Sequence, residues 1–149
     1  MWQRIQTLFL LVSAILLIIL FFSPLAVLQI NDDTFYEIYI KGFVNENTVQ
    51  YSYSLIFFNL IILLLNIIII FLFKKRILQM RLCVYNFLLL LGIQGIIIYV
   101  IYSSSSKLNA EVFLEYSVIL PIISAILHLL AFKYIKKDEE LVRSADRIR

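Results

Sequence analysis

Among the polar side chains that interrupt otherwise apolar stretches of this chain are Asn59, Asn66, Asn86, Gln94, Ser124 and His128. Amides and hydroxyls in such places can bridge helices through hydrogen bonds, or they can line a path for a solute. An imidazole can also carry a proton. Asn59 and Asn66 are seven residues apart and share one helical face, a line that Ser52 extends by another seven. Ser117, Pro121, Ser124, His128 and Ala131 follow a 4-3-4-3 spacing, a seam of small and polar groups. Gly92 and Gly95 flank Gln94 and permit close approach, as Ser13 and Ala14 do earlier in the chain. By depth, Asn66, Gln94, Ser124 and Ser13 are expected to meet near the membrane midplane, with Asn86 and His128 in the cytoplasmic half.

Packing is the leading reading of these groups. A proton- or ion-coupled carrier usually places a carboxylate in the membrane, and no Asp or Glu falls in these stretches. His128 is the one histidine of the chain, and a relay from it would have only amides and hydroxyls to use. Cys83, the one cysteine, excludes an intramolecular disulfide. At the cytoplasmic border it could be lipidated, but a plain interfacial thiol is the simpler expectation. Asp32 and Asp33 read as solvated turn formers rather than a metal or acid–base pair. The chain carries no G-x-S-x-G, H-E-x-x-H, Walker A or C-x-x-C pattern. No catalytic, cofactor-binding or metal-ligating residue is therefore assigned, and an enzyme is not expected.

The elements that must hold these groups follow from composition. Hydrophobic residues make up 62% of the 149 and charged residues 15%, against about 45–50% and about 25% in soluble domains. Four apolar runs free of Asp, Glu, Lys and Arg stand out, Leu8–Leu28, Leu55–Phe73, Cys83–Tyr102 and Tyr116–Phe132. A span needs about 20 such residues, and in hydrocarbon it must be helical to satisfy its own backbone. The fold class expected is an all-α integral membrane protein, a single four-span domain over residues 1–149. Its spans fall near 7–28, 54–73, 83–102 and 112–134, the last with Asn109 as a possible N-cap. The first run is too long for a signal-peptide core and lacks an A-x-A-like site, so it reads as an uncleaved anchor.

Charge orients the bundle. Eleven of the thirteen Lys and Arg and four of the ten acids fall on the side of the termini and the second loop, a net of +7. The other side holds two bases and six acids, a net of −4. The positive-inside rule then puts both termini in the cytoplasm. The Lys74–Arg81 cluster reads as a topology signal touching anionic headgroups, not as a nucleic-acid site. Aromatic residues at the run ends, such as Tyr53, Phe71, Tyr99, Tyr102 and Tyr116, suit headgroup level.

Outside the membrane, residues 29–53 should form a β-rich extracytoplasmic loop, a small antiparallel sheet of two or three strands. Tyr36, Ile38 and Ile40 would share one face, with Phe35, Glu37, Tyr39 and Lys41 on the other. Ser103–Ser106 reads as a flexible polar tip. At the other end, residues 135–149 should form a charged helical tail in which Leu141, Val142, Ala145 and Ile148 gather on one side. Either it is a solvated end of the fourth helix or it docks through Leu141, Val142 and Ile148.

The opening Met1-Trp2-Gln3-Arg4-Ile5-Gln6-Thr7 and the closing DEELVRSADRIR over Asp138–Arg149 resemble the end motifs of a known family. It is a small four-helix inner-membrane family of Bacteroidota catalogued as domain of unknown function 4293. The resemblance implies a bacterial inner-membrane location with no established activity, so no site residues carry over. In architecture the chain is also similar to claudin-like proteins, but it lacks their tryptophan motif and cysteine pair. The function expected is a non-enzymatic accessory or scaffold subunit of an inner-membrane complex, with membrane lipids and other integral membrane proteins as partners and no nucleic acid. The alternative is a small transporter or channel-like protein built on Asn59, Asn66, Gln94 and His128.

Overall fold

The computed structural model describes residues 3–31, 34–45, 48–51, 53–73 and 75–147. Four helices of these residues pack as an antiparallel bundle: α1 (Gln3–Phe22), α2 (Tyr53–Phe71), α3 (Arg76–Leu108) and α4 (Leu120–Arg147). Each is long and apolar enough to cross a membrane, so the protein is a multi-pass membrane protein by composition and length. α4 packs most closely on α1 and α3, and α2 closes the ring between α1 and α3. The outer faces are as apolar as the core, with Leu11, Ile15, Leu60, Leu64, Leu88 and Ile126 exposed. A helix that is apolar all round belongs in lipid rather than water.

Across one end of the bundle lies an antiparallel sheet. Its strands are β1 (Ala26–Asn31), β2 (Thr34–Tyr39), β3 (Gly42–Asn45), β4 (Thr48–Tyr51) and β5 (Glu111–Leu114), in spatial order β4-β3-β2-β1-β5. The first loop thus supplies four strands where two or three were expected, and the second loop supplies the fifth. A lone hairpin is marginal in water; here Ala26 and Leu28 pair with Ile38 and Tyr36 on one side and with Leu114 and Val112 on the other. Ile38 and Ile40 are buried with Leu20, Leu55, Ile97 and Ile101, so one face of the sheet and the helix ends share a core. Phe35 faces outward, and Tyr39 donates a 2.8 Å hydrogen bond to Glu37. Between β2 and β3 the turn relies on Gly42, whose φ of 134° only glycine adopts without strain. Asp32, Asp33 and Ser52 lie outside the described residues.

Several boundaries depart from the sequence reading, among them the start of α3 at Arg76 where 83 was expected. α1 stops at Phe22, six residues short of Leu28, because Ser23 precedes Pro24 and the residue before proline is pushed out of the helical region. The run from Ala26 to Asn31 is spent on β1 instead. α3 runs past the expected end through Ser103–Ser106, which form its last turns rather than a flexible tip, with Ser104 bonding back to the Val100 carbonyl. Asn109 then caps the C-terminus of α3 in the left-handed conformation, with φ 47° and ψ 41°, instead of opening α4. Asparagine tolerates that conformation better than most residues, and its backbone N–H donates to the Ser105 carbonyl, closing the last turn of α3.

Candidate functional site

Each helix buries a stripe with 4-3 spacing: Gln6, Leu10, Ser13, Leu17 and Leu20 on α1; Leu55, Asn59, Ile62, Asn66 and Ile69 on α2. On α3 the stripe begins Gln79, Cys83, Asn86, Leu90 and Ile93, and the α4 side runs through Ser117, Ser124, His128, Ala131 and Ile135. This is the 3.5-residue repeat of helices that keep one seam facing their partners. Polar residues recur along it at intervals of seven, as Gln6 and Ser13, Asn59 and Asn66, Gln79 and Asn86, and Ser117 and Ser124. Antiparallel packing brings one from each helix to the same depth.

That depth holds Ser13, Asn66, Asn86 and His128. Asn66 Nδ2 lies 3.3 Å from both the Leu10 carbonyl and Ser13 Oγ, joining α2 to α1. Ser13 Oγ is 3.3 Å from His128 Nδ1, joining α1 to α4. Asn86 Nδ2 is 2.8 Å from His128 Nε2, joining α3 to α4. The Ser124 carbonyl, 2.9 Å from His128 Nδ1, can only accept, so the ring hydrogen sits on Nδ1. Nε2 is then the acceptor for Asn86, and both ring nitrogens are used. All four side chains are fully buried. Below the layer Leu10, Ile69, Cys83, Ala131 and Ile135 form one apolar core. Above it Leu17, Ile62, Leu90 and Ala125 begin the other, which reaches the sheet. A chain of hydrogen bonds between two apolar slabs holds the four helices at one relative height, because sliding any of them would bury its polar group against hydrocarbon.

The expected meeting at mid-depth is therefore redrawn. Asn86 and His128 belong with Asn66 and Ser13, whereas Gln94 lies eight residues further along α3 and Asn59 seven residues nearer the sheet. Asn59 reaches the Leu17 carbonyl at a long 3.5 Å, and Gln94 is buried with its Oε1 unpaired. Ser124 enters the layer through its carbonyl, and its own Oγ is unpaired. A Cβ added at Gly92 would meet the Phe58 ring at 3.7 Å, an ordinary contact, and one added at Gly95 would meet nothing within 4 Å, so neither glycine is required by a close approach. Cys83 is buried inside the lower core, not at a lipid-facing border where a lipidation enzyme could reach it. Sequence reading missed Gln6 and Gln79. Gln79 donates to the Ile69 carbonyl at 2.9 Å and ties the start of α3 to the end of α2. Its place seven residues before Asn86 was the available signal.

Beyond the layer, at the basic end, α4 continues without a break to Arg147. Arg76 at the start of α3 reaches Asp138 at 3.4 Å and Glu139 at 4.0 Å. Leu141 and Val142 beyond that latch are 52% and 41% exposed, while Ile148 lies outside the described residues. At the opposite end Ser117 donates from Oγ to the Pro24 carbonyl, and Glu115 N–H donates to the Leu25 carbonyl at 3.0 Å. These bonds pin the start of α4 to the segment that leaves α1. Among the described residues no group of His, Cys, Asp and Glu is placed to hold a metal ion.

A family model described as Domain of unknown function (DUF4293) matches residues 2–148. No curated protein and no solved structure matches the chain. With nearly its whole length matched, the chain belongs to the DUF4293 family.

Proposed function

We propose, with membership of this family of unknown function as the premise, that the protein is a non-enzymatic accessory or scaffold subunit of a bacterial inner-membrane complex. The observation that carries this reading is the tail. Arg76 holds α4 as it leaves the bundle, so Leu141 and Val142 stand on a preorganised helix rather than a floppy end. Preorganisation lowers the ordering cost of association. The bundle itself supports the reading, because Ser13, Asn66, Asn86 and His128 are bonded to one another and to neighbouring backbone, as packing groups are. The asymmetry of charge supports an orientation with both termini and the tail in the cytoplasm and the sheet outside. Partners are other integral membrane proteins, engaged laterally by the helices and on the cytoplasmic side by the tail.

Deleting Asp138–Arg149 tests it. Insertion into the membrane should persist, while proteins that co-purify with the full chain in mild detergent are lost. Unchanged co-purification after that deletion would leave the tail as a solvated helix end.

One observation favours the alternative, a small transporter or channel-like protein. Asn59, Asn66, Asn86 and Gln94 each keep an unpaired, buried carbonyl oxygen. Replacing Asn66 and Gln94 together by Leu separates the readings: a scaffold keeps its partners and stays folded, whereas a transporter loses solute flux.

A further inference from the structure

At the basic end a groove of about 450 Å³ opens between α3 and α4 on the outside of the bundle. Ile77, Val84 and Phe132 line it with apolar surface, and Arg81 and Lys136 line it with charge. On α3, Ile77 lies four residues outward of Arg81, so apolar surface flanks that cation on both sides. On α3, Arg81 is three residues outward of Val84, and on α4, Lys136 is four residues outward of Phe132. Inward of both cations, about one turn deeper, lies the apolar surface of Val84 and Phe132. This is the polarity of an amphiphile standing in a membrane, headgroup out and chain in.

The cations also differ in availability. Arg76 is engaged by Asp138 and Glu139. Among the described residues Arg81 has no acidic partner, and Lys136 makes only a 3.9 Å contact with Glu140 in which both side chains are more than 60% exposed. An exposed pair of that kind contributes little and yields to a better anion. Basic pockets between membrane helices are suited to anionic headgroups.

We infer that this groove is a binding site for one anionic phospholipid, its phosphate held between Arg81 and Lys136 and an acyl chain laid along Val84 and Phe132. The site requires the membrane setting of the bundle and does not depend on the tail docking on a partner.

The test uses the full chain purified in mild detergent and native mass spectrometry after adding phosphatidylglycerol or phosphatidylcholine. The unaltered protein should retain phosphatidylglycerol in preference. Removing charge with Arg81→Gln or Lys136→Gln should weaken that binding roughly fivefold each, and about thirtyfold together. Lys133→Gln, an exposed cation of the same region outside the groove, should leave it unchanged. Val84→Trp should fill the groove and lower retention with both cations intact. Equal binding of the two lipids, an undiminished signal from the double variant or from Val84→Trp, or an equal loss from Lys133→Gln would overturn the site. So would displacement of the lipid by inorganic phosphate at matched concentration, since the groove would then bind a bare anion. Because the altered side chains are exposed, the unfolding temperature in detergent should not move, and a loss of binding cannot be attributed to unfolding.

Discussion

At the scale of single residues, His128 is the junction of the bundle, since its two ring nitrogens join α4 to α1 and α3. Removing Asn86 by Asn86→Leu leaves Nε2 buried without a donor, a loss of about 1–2 kcal/mol for a polar contact inside a membrane bundle. Replacing His128 by Leu as well removes the orphaned group, so the double variant should be destabilised by less than the sum of the single changes. Unfolding in detergent across that double-mutant cycle measures the coupling, and strict additivity would show that the contact does not form. Outside the membrane, Tyr39 titrates above its ordinary value of 10.0, chiefly because its hydroxyl donates to Glu37, with burial adding to the effect. The protonated phenol is the form the fold favours. Its contribution is therefore fully present below pH 10 and fades as the pH rises through the raised value. Phenolate absorbance should show Glu37→Gln moving this titration downward, with Tyr39→Phe identifying the residue. An unmoved midpoint would mean the bond is absent in solution.

At the scale of elements, two junctions govern how helices and sheet connect. Asn109 ends α3 in the left-handed region and turns the chain directly into β5. Asn109→Gly should be close to neutral, while the β-branched Asn109→Val should cost roughly 1–2 kcal/mol, read as a lower unfolding temperature. The sequence could show that Asn109 sits at a boundary but not which element it serves, because asparagine suits both an N-cap and a left-handed C-terminal position. At the basic end, Arg76→Gln should release the tail. A spin label at position 141 should become more mobile in that variant, and high salt should produce part of the same change in the unaltered chain. Equal mobility in all three samples would mean that Asp138 and Glu139 do not hold α4.

At the scale of the whole molecule, the distribution of charge makes orientation the testable property. Cysteines introduced at Phe35 and Lys107 should label with an impermeant reagent from the periplasm, and one at Lys75 should not. All three positions are exposed, and the native Cys83 is buried, so it adds little background. Labelling at Lys75 with protection at Phe35 would invert the topology. The sheet explains why the sheet end should be the compact one. β1 and β5 come from different loops, yet they pair, so the two loops at that end form one cap.

Four helices and their apolar outer faces were determined by the sequence alone, because span length is a one-dimensional property that lipid reads directly. The buried seam of α4 was legible for the same reason, since Ser117, Pro121, Ser124, His128 and Ala131 mark a face by spacing. Depth between helices was legible only in part. The sequence puts His128 and Asn86 at one depth, but whether Asn66 and Ser13 join them or meet Gln94 depends on where the helices begin and end, and those ends are set by Pro24, Asn109 and the bonds that pin α4 to the sheet. The pairing of Ala26–Gln29 with Glu111–Leu114 was equally hidden. It joins segments more than eighty residues apart, and the residues of β5 are short and mixed enough to read as the first turns of a helix. Only the packed bundle brings them together, and only there does a row of separate polar residues become one connected layer.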